Sequence, residues 1–397
     1  MMQRRVLGVL FFSVFSAMMG LGIIVPFLPK MATDLGATGL WLGLIFAGFA
    51  TARAMVQPIV GELSDKIGRK VFLTSGFMLL AVTTLLYIVA QNIYLLVMTR
   101  FLNGVAAGMV VPVVLAYAGD IVEEGKEGRT MGLMNMMFYL GMGAGPVFGG
   151  LLGREFGARS IFYVMSGLCL IAYLVVLFFL PKITELKPRL KEKSVPLKVL
   201  FGYNIIRMLL VMMFVSAVRS TLLMAFLPLI GDEIQISVFQ VGIVIAVAVF
   251  CCGLIQPPFG YLLDRMDKDV RLFFVLIGSI IGTVALFAIP FCPGFIALLI
   301  AASFIGIGGA VSIAPTMSVS VLIGAKVGMG SWMGILSTAI SLGIITAPII
   351  GGVVMDYAGV KTSFYVASII SLLGTFIGCY YFLKWFRIYR TRNAKAA

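Results

Sequence analysis

The sequence predicts an all-α membrane protein of twelve transmembrane helices arranged as two six-helix halves. Three observations lead there. Of 397 residues, 61% are hydrophobic and only 12% charged, more apolar content than a water-soluble core of that length can hide. Apolar runs of about 20 residues, the length that crosses a hydrocarbon layer about 30 Å thick, recur from end to end. The second half of the chain also repeats the first. The runs hold many Gly and several Pro, unlike the short alternating segments of β-barrel strands, which leaves helices.

Charges and turn residues set the span limits in order. Span 1, 6–30, lies between Arg4-Arg5 and Lys30; span 2, 39–60, stops at the polar segment 61–70. Spans 3 and 4, 72–90 and 95–118, run from there to Lys126 and Arg129. Spans 5 and 6, 130–153 and 160–181, are divided by Arg154 and Arg159. Spans 7 and 8, 204–230 and 238–262, end before Arg265, Lys268 and Arg271. Spans 9 and 10, 271–291 and 294–322, reach Lys326; spans 11 and 12, 331–354 and 362–384, are separated by Lys361. The opening Met1-Met2-Gln3-Arg4-Arg5 has a signal-peptide flavour, but the run behind it is too long for a signal core, contains Pro26 and Pro29, and belongs to the repeat. It is span 1.

The formal charge of +14 invites a nucleic-acid partner, and its distribution removes the need for one. With both termini on one side, that side holds Arg4, Arg5, Lys66, Arg69, Lys70, Lys126, Arg129, the basic residues of 182–203, Arg265, Lys268, Arg271, Lys326 and the tail 384–395. The other side has only Lys30, Arg154, Arg159 and Lys361. The positive-inside rule therefore predicts cytoplasmic termini in the inner, cytoplasmic membrane. All 5 cysteines fall within spans without metal-ligand spacing and read as packing residues. There is no histidine, so no metal, cofactor or imidazole relay is expected, and carboxylates are the remaining proton carriers. Acid–base or nucleophilic catalysis has no residue set to run on, so an enzyme is not expected.

The internal repeat is gapless over 132–166 and 334–368, pairing Gly141 with Gly343, Pro146 with Pro348 and Phe162 with Phe364. Gln57-Pro58 likewise matches Gln256-Pro257, and Phe27-Leu28-Pro29 matches Phe226-Leu227-Pro228. The expected organisation is a first half 1–181, a cytoplasmic linker 182–203 that is Lys-rich and lies near anionic headgroups, and a second half 204–397 ending in a basic tail. Two parallel copies of this kind put a substrate site between them.

The loop after span 2 reads Gly61-Glu62-Leu63-Ser64-Asp65-Lys66-Ile67-Gly68-Arg69-Lys70. Its glycines permit a tight turn and its Asp65 and Arg69 can pair. The chain here resembles the major facilitator superfamily, whose signature loop follows G-x-L-x-D-x-x-G-R-K. That resemblance implies a conformational latch of Gly61, Asp65, Gly68 and Arg69 with Asp120, holding the halves in the outward-facing state. The second-half copy, 260–264 with Arg265, is degenerate. Three further stretches resemble the twelve-span drug:proton antiporter branch. They are 20–29, Arg100-Phe101-Leu102-Asn103-Gly104, in which the resemblance implies an Arg engaged in proton transfer, and the exporter motif with Gly141, Gly145, Pro146, Gly149 and Gly150. The small residues allow close helix packing and Pro146 a bendable segment.

Charges inside a span cost several kcal/mol and by default serve function. Here they are arginines: Arg53, Arg100 and Arg219, with Arg207 near enough to a span end to snorkel. The acid that drug antiporters of this branch commonly carry in span 1, 7 or 10 is missing. A basic cavity lined by Arg53, Arg100, Arg219, Asn135, Tyr139 and Gln256 is therefore expected, suited to an anionic or zwitterionic amphiphile. Asp34 and Glu233, at equivalent repeat positions, are the candidate proton sites, although solvated loop charge also explains them. The expectation is a monomeric secondary transporter that exports a small amphiphilic or lipid-like molecule by alternating access, with membrane lipids and protons as further partners. Lipid flipping, antiport of cationic drugs and a non-transporting sensor or scaffold stay open beside it.

Overall fold

The computed structural model describes residues 2–121, 127–181, 202–263, 265–266, 268–327 and 329–393. Nearly all of the linker, the loop at Lys126, and Asp264 of the second-half loop lie outside the described residues. Twelve helices are long and apolar enough to cross a membrane. They are α1 (Met2–Ile24), α2 (Gly39–Ile67), α3 (Arg69–Leu86), α4 (Ile93–Ile121), α5 (Glu127–Phe156) and α6 (Ala158–Phe179). The second set is α7 (Asn204–Glu233), α8 (Val238–Leu263), α9 (Lys268–Ala288), α10 (Phe295–Val327), α11 (Met329–Ala358) and α12 (Val360–Asn393).

Several helices outrun their apolar stretch. α2 continues to Ile67 rather than stopping near 60, and α12 continues to Asn393. Apolar length measures the hydrocarbon layer, whereas a helix ends where its backbone hydrogen bonding ends, and polar last turns can stand in water. Span 1 is not one straight helix. Pro26 has no N–H to donate, the bonds around it tighten to Val25 onto Gly22 and Phe27 onto Ile24, and the chain resumes as a short helix, Leu28–Asp34. The repeat counterpart α7 meets only Pro228 there and runs through.

The helices pack as two sets of six, α1–α6 and α7–α12, touching chiefly across two helix pairs, α5 with α8 and α2 with α11, with the short helix Leu28–Asp34 also against α7. Glycines set these distances and show the two-fold plan directly. A methyl on Gly43 would collide with the Pro348 carbonyl, and one on its counterpart Gly242 with the Pro146 carbonyl. Within the halves, Gly141 lies against the Phe15 carbonyl, and its counterpart Gly343 against that of Phe214.

An even number of spans puts both termini on one side. At the far side, one apolar cluster joins both halves, with Ile24, Leu28 and Phe46 packed among Leu222, Phe226 and Val241. Toward the termini the halves hold separate clusters, around Leu73 and Val110 in the first and Leu209 and Trp332 in the second. Among the described residues, Gly61, Gly132, Gly260 and Gly334, all toward the termini, would meet nothing within 4 Å if given a side chain. The bundle is thus closed at the far side and parted toward the termini.

Candidate functional site

The signature loop forms a compact ionic cluster. Gly68 links α2 to α3 with φ +110, a left-handed conformation that glycine adopts freely, so the chain turns at once into Arg69. The Arg69 side chain is 3% exposed. Its guanidinium pairs with Asp65 at 2.8 Å, donates to the Ser64 hydroxyl at 3.2 Å and grips both carboxylate oxygens of Asp120 on α4. Every one of these partners belongs to the first half. Gly61 is an ordinary helical position, not a turn. In the second half, Arg265 stacks on Tyr261 at 4.7 Å. Arg271 takes the place equivalent to Arg69, donating to the Met266 carbonyl at 3.0 Å and the Ser318 hydroxyl at 2.7 Å. A sequence scan for the G-x-L-x-D pattern passes over Arg271, because a backbone carbonyl and Ser318, 47 residues away, leave no such pattern.

The exporter motif has two faces, as four-residue helical spacing dictates. Gly141, Gly145 and Gly149 admit the backbone of α1 at Phe15, Met19 and Ile23. Pro146 and Gly150 face the other half and receive Gly242 and the backbone of Phe239. One turn toward the termini from Gly143, Tyr139 meets α8. Gln256 donates to the Tyr139 hydroxyl at 2.9 Å and lies 3.3 Å from the Cys252 sulfur. Asn135 follows Tyr139 by one turn on the same face and is exposed. These three predicted residues come together where the joined part of the two halves gives way to the parted one.

The predicted arginines do not form one cluster. Arg100, 4% exposed, lies over the Phe49 ring at 4.5 Å and the Phe46 ring at 5.6 Å, and reaches the Tyr87 hydroxyl at 3.5 Å. Cation–π contact substitutes for a carboxylate here. The guanidinium is held among α2, α3 and α4, next to Asn103, whose amide donates to Thr83 at 3.3 Å. Among the described residues, the Arg100 Nε, the Asn103 carbonyl oxygen and the Thr99 hydroxyl have no hydrogen-bond partner.

Arg219, 2% exposed, corrects the expectation of a shared basic cavity. Its Nη1 donates to Ser279 Oγ at 3.0 Å on α9 and Ser371 Oγ at 2.9 Å on α12, so it points into the core of its own half. Thr283 donates to the Ser279 carbonyl at 2.7 Å and Thr375 to the Ser371 carbonyl at 2.8 Å, while each also touches the opposite serine hydroxyl. Hydrogens satisfied in this way turn the serine lone pairs toward the cation, a neutral cage of dipoles. The repeat counterparts of Arg219 and Ser371 are Gly20 and Cys169, which pack without a charge: a methyl on Gly20 would lie 3.8 Å from the Cys169 sulfur. The hydroxyl ring is legible only once α7, α9 and α12 are brought together.

Arg53 is different. It is half-buried on α2 and, unlike Arg100 and Arg219, has no hydrogen-bond or ion-pair partner among the described residues. Asp34 and Glu233 are exposed at the far side, Glu233 beside Lys361 at 3.5 Å. No Asp or Glu is buried among the described residues, and none of them forms a cluster able to hold a metal.

Twelve spanning helices in two pseudo-symmetric halves, joined at one side of the membrane and parted at the other, define a multi-pass membrane transporter. The chain belongs to the Major Facilitator Superfamily, whose family model matches residues 10–218 and 209–396. An uncharacterised transporter of this superfamily from Methanocaldococcus jannaschii is 28% identical over 370 residues, covering 92% of this chain and 95% of the relative. The quinolone resistance protein NorA of Staphylococcus aureus is 28% identical over 385 residues, covering 94% of this chain and 96% of the relative. Among solved structures, a bacterial homologue of the human lysosomal transporter Spinster, inward-facing and unoccupied, superposes with a TM-score of 0.79 at 14% identity, covering 97% of this chain and 98% of that one.

Proposed function

We propose that the protein exports a small anionic or zwitterionic amphiphile across the cytoplasmic membrane by alternating access, with its termini and basic loops in the cytoplasm. The observation that carries the substrate class is Arg53, a half-buried guanidinium that has, among the described residues, neither a hydrogen-bond or ion-pair partner nor a buried carboxylate to pair with. A carboxylate or phosphate would complete it bidentately, and a lipophilic cation would meet like charge. Asn135, Tyr139 and Gln256, at the edge of the gap between the halves, supply neutral hydrogen bonding for the rest of the molecule. The name of the staphylococcal relative, a quinolone resistance protein, supports export of a small organic molecule. The charge asymmetry of the loops supports the sidedness. A proton-driven cycle would run on span-end acids, Asp34 and Glu233 among them.

The test is uptake into proteoliposomes of organic anions and of ethidium-like cations, with and without a pH gradient, by wild type and Arg53→Gln. Anion uptake that Arg53→Gln weakens supports the reading, and preference for cations overturns the substrate class. Indifference to the gradient removes proton coupling.

A second reading, transport of a lipid or lipid precursor, is favoured by a groove of about 850 Å³ on the outside of the first half near the termini. Arg5 and Lys70 stand over its apolar wall of Val9, Phe12, Val175 and Phe178, an arrangement suited to an anionic headgroup and its tail. A fluorescent-lipid flipping assay with headgroup competition separates the two readings.

A further inference from the structure

Helix α2 opens with its backbone N–H groups at the far side, where the first turn of any helix has donors without intrahelical partners. Thr38, at the N-cap position, has the extended conformation of a capping residue, φ −75 and ψ 171, yet its side chain makes no cap bond. The donors are taken by the other half. Asp356, near the end of α11, accepts hydrogen bonds from the Gly39 amide with one carboxylate oxygen and from the Leu40 amide at 2.8 Å with the other. Side-chain-free Gly39 and Gly352 let the two backbones approach closely enough for this. A methyl on Gly39 would sit 3.0 Å from the Asp356 carboxylate and collide with the Gly352 carbonyl.

The pseudo-symmetric junction is built differently. At the start of α8, Gln240 donates from its backbone to Ser237 Oγ at 3.2 Å, and Ser237 donates from its backbone to Gln240 Oε1 at 2.9 Å. This reciprocal box lies wholly within the second half, so α8 stays capped whether or not the halves touch. Arg154, the repeat counterpart of Asp356 on α5, pairs with its neighbour Glu155 at 3.4 Å instead. A cation at that place would oppose the positive end of α8, whereas an anion suits the positive end of α2.

We infer that Asp356 is a positioning residue for the transport cycle, a carboxylate lock that holds the far-side gate shut by capping a helix of the opposite half. The inference rests on the alternating-access reading given above. In the closed state the first turn of α2 has a charged acceptor; when the halves part at this side, the neutral hydroxyl of Thr38 and water are left to replace it. Apart from those of Tyr139 with Gln256 and Cys252, these are the hydrogen bonds that cross between the described residues of the two halves. The apolar remainder of the junction favours contact without fixing its register, and the lock supplies that register.

The test uses spin labels replacing Tyr94 at the start of α4 and Ile296 at the start of α10, both exposed at the far side, on a background free of native cysteines that retains transport. Distance distributions are compared in nanodiscs for the parent, Asp356→Asn and Thr38→Asp. Asp356→Asn keeps shape and loses charge, and is expected to raise the ratio of far-open to far-closed molecules roughly five- to tenfold. Thr38→Asp gives α2 a carboxylate cap of its own in both states, so it should shift the ratio the same way with Asp356 intact. It stands in should Asp356→Asn fold poorly. Distributions of the variants that match the parent, in a parent that does interconvert on adding organic anion, overturn the lock. A parent that keeps a single far-side distance under every condition overturns alternating access itself.

Discussion

Gln256 of α8 donates to the hydroxyl of Tyr139 of α5 at 2.9 Å, the deepest hydrogen bond between the described residues of the two halves. The glutamine carbonyl keeps acceptor capacity, the tyrosine hydroxyl also bonds the Cys252 sulfur, and Asn135 stands one turn away. Such a pair can join the halves in one state and hold substrate in another. Tyr139→Phe and Gln256→Leu are each expected to weaken anion binding severalfold, with the double variant little worse than either. A double-mutant cycle on binding affinity should give a coupling of about 1 kcal/mol. A coupling of zero would mean that the pair parts before substrate arrives.

The two acids paired with Arg69 are not equivalent. Asp120 is 23% exposed and holds Arg69 through two oxygens, whereas Asp65 is 42% exposed and holds it through one. Asp120→Asn should therefore cost more, about 2–3 kcal/mol, because it leaves a nearly buried guanidinium underpaired. Asp65→Asn should cost about 1 kcal/mol or less, as expected for a half-exposed pair. Thermal denaturation in detergent checks the order, and equal losses would contradict the geometry.

Arg219 reverses the expectation that the sequence supports. Its cage consists of hydroxyls bonded to one another and to backbone carbonyls, and these bonds survive without the arginine. Arg219→Met exchanges the buried charge for an apolar chain of similar length and costs the two serine hydroxyls a donor, so some stability is lost while the rest of the cage stays bonded. Organic-anion binding, read as a ligand-induced thermal shift, should stay within about twofold of wild type, whereas Arg53→Gln should lose about tenfold or more. Lost binding in Arg219→Met with retained binding in Arg53→Gln would move the site into the second half.

How much of this was legible in advance depends on the range over which each residue acts. Span number, the internal repeat and the Arg69–Asp65 pair are local or periodic properties: apolar length, a repeated word, an i to i+4 spacing. Arg69 and Asp65 needed only that spacing. Arg100 and Arg219 could be recognised as buried charges, but not where they point, since that depends on Phe46 and Phe49 for one and Ser279 and Ser371 for the other. Asp356 was hidden for a similar reason. It reads as a loop acid until α11 is set against the first turn of α2, and its partners are backbone amides, which no sequence pattern marks.

The paired glycines allow a test of the two-fold plan itself. Gly43 and Gly242 each face a proline carbonyl of the other half, Pro348 and Pro146, with no room for a methyl group. Backbone, not a flexible side-chain end, is in the way, so Gly→Ala at either position cannot be relieved by a rotamer change and must push the halves apart at the far side. Gly43→Ala and Gly242→Ala are each expected to favour the far-open state and to slow transport by about tenfold or more, while adding little together, because either one already parts the junction. Gly260→Ala, where a methyl meets nothing within 4 Å, should leave transport unchanged. Labels replacing Tyr94 and Ile296 read the separation. If Gly43→Ala opened the far side and Gly242→Ala did not, the α2–α11 junction would govern closure alone, and the similarity of the two repeats would be one of packing without shared control.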